Sequence, residues 1–252
     1  MPTGRHPAGD GGLFPPDVRF EERLDLGRIR ALYARAGRIH VRPFLSSGCA
    51  RAIHHCLASQ VAWQIHLNDG DRPINLSEAK FGELPARDRQ RFRQSVHASA
   101  GSRFQYLYNS FPISDLYQRG ELRELYLMRL HEFLNSAEFL EFARAVTGVA
   151  TIALVDAQAT RYQPGHFLTQ HDDLIPEKKR VAAYVLGFTP RWSADWGGIL
   201  QFIAEDGHVA EGYAPVFNAI NIFRVPQLHA VSYVAPFARA DRYSITGWLR
   251  EQ

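Results

Sequence analysis

The chain has 252 residues, 46% hydrophobic and 22% charged, with a formal net charge of +3. That length buries a sizeable core in one large domain or two small ones. So small a charge gives no electrostatic case for a nucleic-acid partner, and no apolar run approaches the roughly 18 residues of a membrane span. Cys49 and Cys56 lie seven apart, which matches neither a zinc-site spacing nor a disulfide framework. A soluble protein of a reducing, cytoplasmic compartment is expected.

Residues 1–20 read as a flexible tail, rich in Gly and Pro and without the apolar segment of a signal peptide. Leu26 to Ala36 is expected as an amphipathic helix. Asp25 caps it, Gly37 stops it, and Leu26, Ile29, Leu32 and Tyr33 share one face. Arg38 to Val41 alternates as a short strand. Pro43 breaks it, and Ser46 or Ser47 caps a helix reaching about Gln60. Val61 to Leu67 alternates again, residues 84–99 have polar helical character with Pro85 near the start, and Phe104 to Phe111 is aromatic and strand-like. Glu121 to Leu134 and Ala137 to Val146 read as two helices, with Leu122, Leu125, Leu130, Phe133, Phe139 and Phe142 as a core stripe.

After Gly148 strand-like runs follow one another: Ala150 to Asp156, Gln158 to Tyr162, Val181 to Phe188, Ile199 to Ile203, Ala219 to Phe223, Ala230 to Val234 and Tyr243 to Trp248. Turn signals such as Pro164-Gly165, Gly197-Gly198 and Asp206-Gly207 separate most of them. Roughly seven short strands in about a hundred residues indicate a sandwich or barrel. The expected organisation is a tail over 1–20, a helix-rich part over 21–149 packed on the core, and a β-rich core over 150–252, an α+β architecture.

The chemistry concentrates in His171-Asp172-Asp173, with His229 and Arg242-Tyr243-Ser244 downstream. On an extended strand His171 and Asp173 project to one face. With a distant second histidine they make a facial triad that holds Fe(II) and leaves coordination positions open. Asp172 points the other way, as a structural residue. His166 stands at an odd spacing from His171 and is not expected to ligate, and the remaining histidines have no partner pattern. Arg242 offers a carboxylate a rigid, permanently charged fork of donors, and Ser244, Thr246 and Trp248 share its strand face. Tyr243, Ile245 and Leu249 face the other layer. Arg239 competes for the same role but follows Pro236 in a turn. Gly197-Gly198 reads as a tight turn rather than a phosphate loop, because no helix follows. Lys178-Lys179-Arg180 reads as a solvated turn, and Trp192 and Trp196 either border an entrance or pack.

Residues Arg161 to Arg250 resemble the iron- and 2-oxoglutarate-dependent dioxygenases, in their prolyl 4-hydroxylase-like branch. The resemblance is carried by Tyr162-Gln-Pro-Gly-His-Phe-Leu-Thr-Gln-His171-Asp172-Asp173, Arg180-Val-Ala-Ala-Tyr-Val-Leu, Trp196-Gly-Gly, Pro215-Val-Phe-Asn218, Phe223-Arg-Val-Pro-Gln-Leu-His229, and Arg242-Tyr-Ser-Ile-Thr-Gly-Trp248. It implies a double-stranded β-helix, or jelly roll, with flanking N-terminal helices. It implies iron held by His171, Asp173 and His229, and 2-oxoglutarate held at its distal carboxylate by Arg242, with Tyr162 in support; Ser244, on the strand face of Arg242, is placed to donate to the same carboxylate. O2 would be the oxidant, ascorbate an accessory reductant, and succinate and CO2 the coproducts. The implied substrate is a prolyl or similar residue in a protein, peptide or free amino acid. Nucleic-acid demethylases of the superfamily carry a further arginine six residues after the cosubstrate arginine, where this chain has Trp248. A non-catalytic metal-binding jelly roll is the reading from another class, and the carboxylate clamp argues against it.

Overall fold

A computed structural model describes residues 16–70 and 72–252. Most of the expected tail, residues 1–15, lies outside the described residues. Within the remainder, Phe20 bridges to Leu45 and sets its ring against Phe44 and Phe133 at 5.4 and 5.0 Å.

Local chemistry sets the helices of the N-terminal half. In α1 (Leu26–Ala36) the Asp25 carboxylate accepts from the Arg28 N–H, and Gly37 closes the helix in the left-handed conformation, as a C-terminal stop requires. Its buried face holds Ile29 and Tyr33. Leu26 and Leu32, expected on that face, are exposed. Helices α2 (Ser47–Ser59), α3 (Glu78–Glu83), α4 (Ala86–Ala100), α5 (Ile113–Arg119), α6 (Tyr126–Leu134) and α7 (Ala137–Thr147) follow. The single helix expected from Glu121 begins only at Tyr126. Leu122 takes positive φ in the turn before it and is exposed, so it leaves the core stripe. Strands β1 (Arg38–Val41), β2 (Gln64–Asp69), β3 (Arg72–Ser77) and β4 (Tyr106–Phe111) also come from this half.

The C-terminal half supplies β5 (Ile152–Val155), β6 (Gln158–Tyr162), β7 (Phe167–His171), β8 (Arg180–Gly187), β9 (Leu200–Ile203), β10 (Val209–Tyr213), β11 (Ala219–Arg224), β12 (His229–Val231) and β13 (Arg242–Glu251). All pair in one antiparallel sheet in the order β1-β11-β8-β13-β6-β4-β7-β12-β9-β10, with β2 and β3 joined at β4 and β5 at β13. The sheet curls on itself, because residues of β4, β6, β7, β8, β9, β11, β12 and β13 line one internal cavity. This is the double-stranded β-helix with flanking helices. The N-terminal half is built into the barrel as well as packed on it, since β4 pairs along one edge with β6 and β7 and along the other with β2.

On the outer face of β8, β11 and β13 the side chains of Leu186, Ile220, Ile222, Ile245 and Leu249 join Ile53, Leu57, Leu127, Leu130 and Phe139 of the helices in the main core. Burial at about 25 cal/mol per Å2 of apolar surface is what joins the two layers. Gly247 marks where they are tightest: a Cβ there would stand 1.8 Å from the Asp156 carbonyl oxygen, so only glycine fits on β13 at that point.

Candidate active site

The internal cavity has a volume of about 540 Å3. His171 is the last residue of β7 and His229 the first of β12, and the two stand opposite each other in the ladder. Their ring centroids are 4.0 Å apart. His171 Nδ1 bonds the Thr169 carbonyl at 3.0 Å, and His229 Nδ1 bonds the Gln227 carbonyl at 2.7 Å. A carbonyl only accepts, so each Nδ1 carries the proton and each Nε2 presents a lone pair. Both Nε2 atoms face Asp173, at 3.5 Å from Oδ1 and 3.4 Å from Oδ2 respectively. One ligand atom from each of the three lies within 4.8 Å of the others.

Asp173 reaches this position by a different route from the expected one. The strand ends at His171, and Asp173 takes φ +64°, in the left-handed region. Asp172 Oδ1 accepts from the Leu174 N–H at 3.0 Å, closing a turn of the kind that Asp readily forms. A turn, not the pleat of a strand, therefore swings the Asp173 carboxylate back beneath the two imidazoles, and Asp172 serves that turn.

The electrostatics suit a cation. Burial raises the Asp173 pKa, but the His171 and His229 rings that face its carboxylate outweigh it and hold the carboxyl below its ordinary range. Burial, aided by the neighbouring His171, lowers His229 to about 4, so its ring is neutral near pH 7 and its lone pair is available. Two imidazoles and one carboxylate, each imidazole held by a backbone carbonyl, form a donor set that fits a divalent transition metal such as Fe(II).

Arg242 begins β13 opposite Tyr162. It is 4% exposed, and burial pulls its pKa down. Its guanidinium lies 4.8 Å from the Tyr162 ring centroid, and Nη1 donates to Ser244 Oγ at 3.4 Å. Ser244 Oγ in turn shares a 2.8 Å bond with Thr160 Oγ1. Among the described residues no carboxylate lies within ion-pair distance of Arg242. A buried cation is costly unless an anion compensates it, so this one fits a carboxylate ligand lying in the same cavity as the His–Asp–His cluster.

Several neighbours were not legible as site residues. Tyr108 stacks on Tyr162 at 5.2 Å, Tyr106 lies 5.4 Å from Tyr108, and His66 stacks on Tyr106 at 4.8 Å. The period-two placing of Tyr106 and Tyr108 was the available signal, but only the pairing of β4 with β6 and β7 brings them to the site. Arg180 is a correction. Lys178 and Lys179 are exposed as expected of a solvated turn, whereas Arg180 opens β8, sits 3.5 Å over the Trp248 ring centroid and donates to the Asp173 carbonyl at 3.1 Å. The stacking surface and the carbonyl draw it inward. Thr246 and Trp248 line the cavity beside Arg242, as the strand period requires.

Other candidates lie elsewhere. His166 lines a different cavity, and Arg239 is exposed. Gly197 and Gly198 form a positive-φ turn. Trp192 packs edge-on against Trp196 at 5.3 Å and donates to the Gly197 carbonyl.

Residues 157–250 match the family model described as the 2OG-Fe(II) oxygenase superfamily. Among curated proteins the chain is 29% identical over 119 residues to prolyl 3-hydroxylase OGFOD1 of Mus musculus, a match covering 44% of this chain and 21% of that protein. The chain thus spans about a fifth of that relative's length. The fold is similar to a Trichoplax adhaerens prolyl hydroxylase solved with a hypoxia inducible factor peptide fragment, at TM-score 0.57 and 16% identity over 90% of this chain and 89% of the other. It is also similar to an oxidoreductase of the 2OG-Fe(II) oxygenase family from Burkholderia pseudomallei, at TM-score 0.56 and 12% identity over 93% and 97%.

Proposed function

We propose that this protein is an Fe(II)- and 2-oxoglutarate-dependent hydroxylase acting on prolyl or similar residues of a protein, peptide or free amino acid. The observation that carries the reading is the pairing, in one cavity, of the His171–Asp173–His229 cluster with the buried Arg242, which has no carboxylate partner among the described residues. A structural metal site gains nothing from an arginine clamp placed across the same cavity. The prolyl assignment draws on the mouse relative's description as a prolyl 3-hydroxylase.

In this reading His171, Asp173 and His229 hold the iron. The metal with its cosubstrate supplies the oxidising power, and ascorbate serves as an accessory reductant. The protein's own work is orientation. Arg242 takes the distal carboxylate of 2-oxoglutarate with its fork of donors, and the Tyr162 hydroxyl donates to the same group. Thr160 and Ser244 hold the guanidinium in place from below. The backbone carbonyls of Thr169 and Gln227 keep both imidazoles in the tautomer that offers Nε2. Tyr106, Tyr108, Leu168 and Val231 line the walls with little polar surface and exclude water from the reacting groups. Residues 150–252 form the working core, completed by β4 from the 21–149 part. The buried, unpaired Cys49 and Cys56 support a reducing, cytoplasmic setting, and among the described residues no helix is long and apolar enough to cross a membrane.

The test is incubation with Fe(II), 2-oxoglutarate, O2 and prolyl-containing peptides, following succinate and the mass of the peptide. The expected result is substrate-stimulated succinate with gain of one oxygen on the peptide, both abolished by His171→Ala. Succinate release that survives that substitution would refute the proposal.

A further inference from the structure

A second cavity, of about 170 Å3, lies on the other side of the sheet from the iron-site residues. On β4, Tyr106 and Tyr108 face the central cavity while Leu107 and Asn109 face this one. On β2, His66 and Ile65 divide in the same way. Helices α3 and α4 cover it through Phe81, Phe92, Arg89 and Arg93.

Its floor is polar and unpaired. Asn109 is 1% exposed, and neither its Nδ2 nor its Oδ1 has a hydrogen-bond partner. His166 is 4% exposed and its Nδ1 has none. Burial is the main influence on His166. It outweighs the bond to the Arg161 backbone and, with Arg93, Arg161 and His97 nearby, lowers the ring to about 3. The imidazole is therefore neutral near pH 7. A neutral imidazole carries one N–H and one lone pair, so Nδ1, which has no partner among the described residues, is an acceptor in the tautomer protonated at Nε2.

Its rim is cationic. Arg89 spends its Nη1 on the Gly82 and Leu84 carbonyls at 2.8 and 2.6 Å. Among the described residues neither Arg89 nor Arg93 has a carboxylate partner. Glu78 also lines the cavity, but its carboxylate is taken by Arg161. Gln163 lines it too and donates to Asp241.

Buried polar groups are normally satisfied, and ordered water would serve the floor. Water would satisfy the floor but would make no use of the two guanidiniums at the rim, half-buried Arg89 and exposed Arg93. One molecule meets both demands if it carries an anion at one end and hydroxyl groups at the other. We propose that this cavity binds a small hydroxylated carboxylate, its carboxylate at Arg89 and Arg93 and its hydroxyls donating to His166 Nδ1 and Asn109 Oδ1 while accepting from Asn109 Nδ2. The walls of Ile65, Phe81, Phe92 and Leu107 enclose the carbon chain. The site is independent of the iron chemistry.

Calorimetric titration of the full chain with three matched three-carbon compounds tests it: racemic glycerate, propionate without hydroxyls, and glycerol without the carboxylate. Glycerate is expected to saturate one site, with the other two weaker by about tenfold or more. Arg93→Glu, an exposed change that leaves the core intact, is expected to weaken glycerate by a similar factor, as is Asn109→Leu if it folds. Binding of glycerate at Arg242 instead would be untouched by Arg93→Glu. Absence of saturable glycerate binding, propionate binding as tightly as glycerate, or retained affinity in Arg93→Glu would each overturn the proposal, leaving water as the cavity's content.

Discussion

The two cavities flanking β4 bury polar groups in opposite ways. On the inner face, charges of both signs converge on shared space: the Asp173 carboxylate lies beneath two imidazoles and Arg242 lies across from them. Each imidazole is fixed from behind by a carbonyl and the guanidinium by a hydroxyl pair. On the outer face the buried groups are neutral, Asn109 and His166, and the charges stay at the rim. Burial alone therefore does not make a site for a metal and an anion. The inner face is distinguished by supporting bonds that leave particular lone pairs and donors pointing at one place.

The largest break in that contrast comes from the ligand set. Asp173→Ala is expected to lower the affinity for Fe(II), or for Mn(II) as its substitute, by about a thousandfold, because even a residue that only supports a ligand is worth about 10- to 100-fold. Metal titration under anaerobic conditions measures it. Next is Arg242→Ala, expected to weaken 2-oxoglutarate by about a hundredfold, in line with the ~2–5 kcal/mol of a buried charged hydrogen-bonded pair. Metal affinity would be unchanged, and that split separates the clamp from the metal cluster.

A smaller effect sharpens the outer face. The folded His166 pKa of about 3 lies below the ordinary 6.5 of the unfolded chain. As pH falls the unfolded state takes up the proton first. The stabilisation is therefore complete above 6.5 and is lost progressively towards 3. Between pH 7 and 5 this removes about 2 kcal/mol. Denaturant unfolding at the two pH values should show His166→Gln losing about that much less than the parent chain. The smallest change is Thr160→Val, which removes the bond to Ser244 Oγ. It is expected to cost about 1 kcal/mol in 2-oxoglutarate affinity, roughly fivefold, with no effect on the metal.

The sequence made the inner face legible in large part and the outer face hardly at all. His171, Asp173, His229 and Arg242 could be gathered because their chemistry is specific and the order of motifs along the chain is distinctive. The reason given for Asp173 was nevertheless the wrong one. Strand periodicity placed it beside His171, whereas an Asx turn and a left-handed backbone do so. Arg180 was hidden by its two exposed lysine neighbours, since a charge run carries no mark of which member turns inward to stack on Trp248. Tyr106, Tyr108 and Asn109 depend on β4 pairing with β6 and β7, a pairing across about fifty residues that no local pattern encodes. The exposed Leu26, Leu32 and Leu122 make the same point, because helical spacing marks an apolar stripe but not its edge.

The central claim is that the His171–Asp173–His229 cluster and Arg242 together receive iron and 2-oxoglutarate. Adding 2-oxoglutarate to the anaerobic Fe(II) protein and recording the visible spectrum tests it most directly, because chelation of the metal by the cosubstrate produces a charge-transfer band. A saturable band is expected in the parent chain, none in His171→Ala, and saturation only at far higher 2-oxoglutarate in Arg242→Ala. A parent chain without the band, or a band unchanged by His171→Ala, would contradict it.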